Sequence, residues 1–181
     1  REGVLAVVVM AGLAGWFAAG YSGTIVPVWA NLLLLVLIYL TVYATSMIYA
    51  SLKTVARWYH PLTPVCYLMF AAAGGLLAVL AMLALLGLPI TAALAQAGIV
   101  LMLSAWGVKL AWWRLAGMAR HAGSVESATG LGHLGTVKPL MPPHTEENYL
   151  QHEMGFVVAR KHADKLRIFA IGLGGVLPII V

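Results

Sequence analysis

The segment Lys53-Thr-Val-Ala-Arg57-Trp58-Tyr59-His60-Pro61 gathers two cations, two aromatic rings and an imidazole directly after an apolar run carrying Tyr39, Tyr43, Ser46 and Tyr49. Spacings of three and four set Tyr39, Tyr43 and Ser46 on one face of a helix. A quinone needs a flat apolar or aromatic slot and donors to its two carbonyl oxygens near a membrane interface. Tyr49, Arg57, Trp58 and His60 are groups of that kind. The same residues also suit a plain aromatic-belt turn bearing positive charge, and their types alone leave both readings open.

Glu2 stands at the start of another apolar run, where an ionisable group entering hydrocarbon is costly enough to be a functional candidate. At a helix end it can equally reach headgroup water. The six histidines, His60, His121, His133, His144, His152 and His162, all fall outside the middle of any apolar run. No pair of imidazoles is therefore placed to grip a haem inside a bundle. His144, His152 and Glu153 lack the spacing of a zinc helix, so no metal site is expected. Gly130-Leu-Gly-His133-Leu-Gly fits a dinucleotide fingerprint in letters only, because Gly123 to Thr129 does not read as the buried strand that must precede one. Cys66 is the single cysteine, which excludes an internal disulfide and a thiolate-held cluster and leaves it as a small buried filler.

The elements that position these groups follow from composition. Of the 181 residues 62% are hydrophobic and 9% charged, far from the quarter charged of soluble domains, so the solvent is lipid. Crossing about 30 Å of hydrocarbon takes roughly 20 apolar helical residues. Spans are expected at about 3–20, 26–50, 62–87 and 90–108, with a further one beginning within 166–181; residues 119–165 form a polar loop and helix between them. Pro142-Pro143, Thr145 as a cap and Glu146-Glu147 in a first turn predict that helix from about Glu146. The fold class is all-α, a polytopic transmembrane helix bundle.

The connections alternate. Tyr21 to Ile25 and Leu88-Pro89 carry no charge, whereas the Arg1-Glu2 end, the Lys53 loop and the segment from Lys109 to Arg167 hold all 11 Lys and Arg and all six Asp and Glu. Basic residues stay in the cytoplasm, so the charged face is expected there and the bare turns opposite. Trp16, Tyr21 and Trp29 belong near one interface, and Tyr49, Trp58, Tyr59, Trp112 and Trp113 near the other. The net charge of +5 thus reflects loops facing the cytoplasm rather than a nucleic-acid surface. The chain opens on Arg1 and closes inside the apolar run from Ile168, so further helices are expected beyond both ends.

Three strings carry a resemblance. Ser46-Met-Ile-Tyr-Ala-Ser-Leu-Lys-Thr-Val-Ala-Arg-Trp-Tyr59 with Pro61-Leu-Thr-Pro64, Pro142-Pro-His-Thr-Glu-Glu-Asn-Tyr149, and Glu153-Met-Gly-Phe-Val-Val-Ala-Arg-Lys-His-Ala163 resemble the dimethyl sulfoxide reductase anchor subunit family. The branch they look most like is the anchors of cytoplasmic sulfite-oxidising enzymes. The resemblance implies an eight-helix anchor in the bacterial inner membrane, generally without haem. It further implies an iron-sulfur subunit and a molybdopterin catalytic subunit as partners, and exchange of electrons with menaquinone or ubiquinone. Arg1-Glu2 resembles the end of a family motif whose glutamate is linked to quinol handling, which gives Glu2 the same expected role. The polar segment, with Arg120, His133, His144, Thr145, Glu147, Asn148 and Tyr149, is the expected docking surface for the iron-sulfur subunit. Sulfite oxidation would send electrons to the quinone; a sulfoxide reductase would draw them from it. The alternative of another class is a transporter or a purely structural membrane anchor with no quinone site; a transporter would show broken helices and polar groups at mid-depth, and only Gln96, Ser104 and Gly74-Gly75 come near that.

Overall fold

A computed structural model describes residues 2–53, 55, 57–117, 125–138, 140 and 161–180. The chain divides into two compact units, Arg1–Ala119 and Arg120–Val181. All regular elements among the described residues are helical.

The first unit contains α1 (Glu2–Tyr21), α2 (Val28–Ala50), α3 (Leu62–Leu85) and α4 (Ala92–Gly117). Each is long and apolar enough to cross a membrane, with 20, 23, 24 and 26 residues. At 1.5 Å per residue these lengths come to roughly 30–39 Å, enough for the hydrocarbon layer. The helices are apolar around their circumference, and large side chains such as Val4, Leu40, Val79 and Leu103 lie exposed. Such surfaces belong in lipid or against other membrane helices, which makes this unit a membrane-spanning helix bundle.

The neighbours pack in sequence order, α1 on α2, α2 on α3 and α3 on α4. The most buried residues are small: Ser46, Ala73, Ala105 and Ala116 are all but fully buried. Between membrane helices little hydrophobic force acts, and close backbone approach over small residues supplies the dispersion contacts instead. Gly98 shows the device directly, since a Cβ there would stand 2.9 Å from Leu80 Cδ1.

Both uncharged turns use one capping solution. Gly23 and Gly87 take positive φ, +71° and +65°. After α1, Thr24 N donates to Ala19 O and Gly23 N to Gly20 O; after α3, Leu88 N donates to Leu83 O and Gly87 N to Ala84 O. This Schellman pairing satisfies the last carbonyls of the helix, which hydrocarbon could not do. Pro27 then leads into α2, and the Thr91 hydroxyl accepts from Leu94 N at 3.3 Å to open α4.

Helix α4 runs on to Gly117, nine residues past Val108, where the apolar run thins. Lys109 and Arg114, expected from sequence in the connection after the fourth span, therefore stand on the last third of a membrane helix.

The second unit contains α5 (Val125–Thr129), a 3-10 turn at Gly132–Leu134 and α6 (Ala163–Ile171). A π-turn at Gly172–Val176 and α7 (Leu177–Ile180) follow. The glycine string follows a helix rather than a strand, with Gly130 as its left-handed cap, so the dinucleotide fingerprint has no supporting βαβ context. The helix expected from Glu146 lies outside the described residues.

Candidate functional site

Four parts of the chain converge at the end of the first unit where α2 ends and α3 begins. Tyr49 projects from the last turn of α2, Trp58 from the loop that follows, Thr63, Cys66 and Tyr67 from the first turns of α3, and Lys109 and Trp112 from α4. Together they enclose a cleft of about 270 Å³. This lies just under the roughly 300–1,000 Å³ of small-molecule sites, a size for a ring headgroup rather than for a long-tailed ligand whole.

Local sequence builds each wall. The Tyr49 and Tyr67 rings stack with centroids 5.8 Å apart and planes at 23°, and Trp58 meets Tyr49 edge-on at 5.2 Å. Thr63, 5% exposed, ties the walls together. Its hydroxyl donates to the Trp58 carbonyl at 2.8 Å and accepts from Trp112 Nε1 at 3.0 Å. One side chain thereby holds the loop, α3 and α4 in register, and spacings of three and four along α3 place Cys66 and Tyr67 beside it. Cys66 is a free, buried thiol.

Lys109 contributes the charge. Its Nζ lies 4.1 Å from the Trp112 ring centroid and 5.5 Å from that of Trp113, a cation–π arrangement. Lys109 and the two indoles stand at i, i+3 and i+4, so one helical face carries all three. The aromatic surface continues through Trp113, Trp106 and Phe70, with centroids 6.1 and 5.4 Å apart in turn. A planar ring fits such walls by stacking and edge contacts, and a ring oxygen would find an ammonium and phenol hydroxyls as donors.

Of the residues expected from sequence to bind a quinone, the structure brings Tyr49 and Trp58 into this cleft. Arg57 is exposed on the loop. His60 is half-buried, and its Nδ1 accepts from Leu62 N at 3.1 Å, which fixes the imidazole as a cap on the start of α3. Glu2 stands apart from the cleft lining, between α1 and α2, where the Thr45 hydroxyl donates to its Oε1 at 2.7 Å. That hydroxyl is also 3.0 Å from Thr41 O.

Lys109, Tyr67, Trp112 and Thr63 were not singled out from sequence as site residues. The signal present for Lys109 was its spacing from Trp112 and Trp113; none in the sequence told that α3 and α4 meet there. His133, expected at a partner surface, is exposed in the second unit with Nδ1 3.0 Å from Gly130 O. Arg120, His144, Thr145, Glu147, Asn148 and Tyr149 lie outside the described residues. Among the described residues no three His, Cys, Asp or Glu side chains converge.

A second groove of about 370 Å³ runs between α1 and α2 at the other end, by Gly12, Gly15, Trp16 and Pro27. Among the described residues no titratable group lines it. Its polar feature is the Trp16 Nε1 bond to Asn31 Oδ1 at 2.8 Å, so it offers apolar contact rather than chemistry.

No protein-family model and no solved structure matches the chain. Among curated proteins it is similar to a sulfite dehydrogenase subunit of Allochromatium vinosum, 30% identical over 94 residues, a stretch covering 52% of this chain and 29% of that protein.

Proposed function

We propose that this chain is the membrane subunit of a sulfite-oxidising complex, and that its aromatic cleft receives a quinone and passes electrons to it. The observation that carries the reading is the convergence of Tyr49, Trp58, Tyr67 and Lys109 on one cavity beside the basic loop. The likeness to a sulfite dehydrogenase subunit supports the choice of sulfite over a sulfoxide. A quinone, menaquinone or ubiquinone, is the exchangeable substrate of this subunit. An iron-sulfur subunit docks on the charged, cytoplasmic side, and a molybdopterin subunit lies beyond it.

Within this scheme the chain binds, orients and supplies protons. Tyr49, Tyr67 and Trp58 form the slot, and Lys109 donates to a ring oxygen. Thr63 keeps the slot in shape. Reduction to the quinol consumes two electrons and two protons. Glu2 takes up a proton at the same end of the bundle: once protonated it donates to the Thr45 hydroxyl, whose own proton turns to Thr41 O. The carboxyl is thus satisfied in both protonation states, as a residue that gains and loses protons within a membrane must be.

Purification of the assembled complex tests the assignment. Iron-sulfur and molybdopterin subunits are expected to co-purify, with sulfite turned over and dimethyl sulfoxide not. Turnover of dimethyl sulfoxide alone reverses the direction of electron flow, and absence of both partners defeats the reading.

A further inference from the structure

Lys109 is a cation on a membrane helix, eight residues before its end at Gly117, or about 12 Å in. It is half-buried, and among the described residues no carboxylate pairs with it. An ammonium in this setting is costly, and the indole beneath it offsets only part of that cost. Among the described residues lining the cleft none carries a negative charge, while the walls around the ammonium suit a flat ring. These two facts together specify a ligand: planar, aromatic in shape and carrying a negative oxygen at its edge.

We propose that Lys109 makes the cleft selective for ring ligands with an anionic oxygen, so that an ionised hydroxynaphthoquinone binds in preference to its neutral counterpart. The inference rests on the cleft being a quinone site and names the charge state that site favours. Tyr49, Tyr67 and Trp58 serve any flat ring alike; among the described residues lining the cleft, Lys109 Nζ is the one cation and so the group that distinguishes charge. A charge-assisted hydrogen bond is stronger than a neutral one by enough to give about a tenfold preference. The same contact serves catalysis, because negative charge developing on a ring oxygen as electrons arrive meets a cation already in place.

The test uses the full complex in nanodiscs of phosphatidylcholine, which present no anionic headgroup to compete. Two probes share the methylnaphthoquinone ring and differ by one ionised hydroxyl: 2-methyl-1,4-naphthoquinone, and 2-hydroxy-3-methyl-1,4-naphthoquinone, ionised at neutral pH. Binding is followed by tryptophan quenching, corrected for probe absorption. The wild type is expected to bind the anion about tenfold more tightly. Lys109→Met is expected to erase that preference by weakening the anionic probe about tenfold more than the neutral one, and Lys109→Arg to restore it. Retention of the preference by Lys109→Met overturns the proposal. So does equal weakening of both probes in the Met and Arg variants, which would mean that Lys109 only packs the cleft. Failure of the wild type to bind either probe strikes the quinone reading itself, and is thereby distinct from failure of the charge selectivity.

Discussion

At the scale of single residues, Thr63 and Glu2 carry different burdens. Thr63→Val keeps shape but deletes the donor to the Trp58 carbonyl and the acceptor of Trp112 Nε1. Unmaking such bonds between membrane helices costs on the order of 1 kcal/mol, so the thermal midpoint in detergent should fall modestly. Quinone-linked turnover should fall more, because loop and α4 lose their common tether; Thr63→Ser should recover both. Glu2→Gln retains an acceptor for Thr45 and cannot take up a proton. It is expected to lower quinone-linked turnover with dye-linked turnover unchanged, and equal rates in both assays would remove Glu2 from proton handling. His60 and Arg57 stand outside the cleft lining. Both are chemically apt for a quinone, yet His60 Nδ1 is spent on Leu62 N and Arg57 faces outward.

At the scale of elements, the helix ends matter more than the helix middles. Gly87 sits at +65° with open space around it, so Gly87→Val meets no clash and only conformational strain. A loss of about 1–2 kcal/mol is expected for a side chain in that region, read as a lowered midpoint, whereas Gly87→Asn should cost less. Gly98→Leu is a different lesion, since its first added atom already meets Leu80 and the branched remainder must force α3 from α4. Its effect should reach the far end as lost quinone affinity. Helix existence was legible from apolar run length, but the end of α4 was not. Hydropathy falls at Lys109, yet the helix continues because Trp112, Trp113 and the long basic stems suit an interfacial turn as well as a loop. The missed end hid Lys109, the one cation among the described residues lining the cleft.

At the scale of the whole molecule, charge sorting and cleft position coincide. Lys53, Arg57, Lys109 and Arg114 all belong to the end of the first unit that holds the cleft, while the turns at Gly23 and Gly87 are bare. If that end faces the cytoplasm, a membrane-impermeant maleimide should label Lys53→Cys in inside-out vesicles and Ser22→Cys in right-side-out ones; the opposite pattern inverts the topology. The cleft itself was legible only by halves. Tyr49 and Trp58 are near in sequence and were readable together, whereas Tyr67, Lys109 and Trp112 join them through helix packing that no local pattern encodes. The most direct measurement is of the double variant Tyr49→Leu, Trp58→Leu in the assembled complex, comparing sulfite-dependent reduction of a short-chain quinone with dye-linked sulfite oxidation. Loss of two aromatic contacts predicts about a tenfold fall in the quinone-linked rate at low quinone, with dye-linked oxidation retained. Quinone-linked turnover that survives undiminished beside the dye-linked rate would contradict the assignment of the cleft.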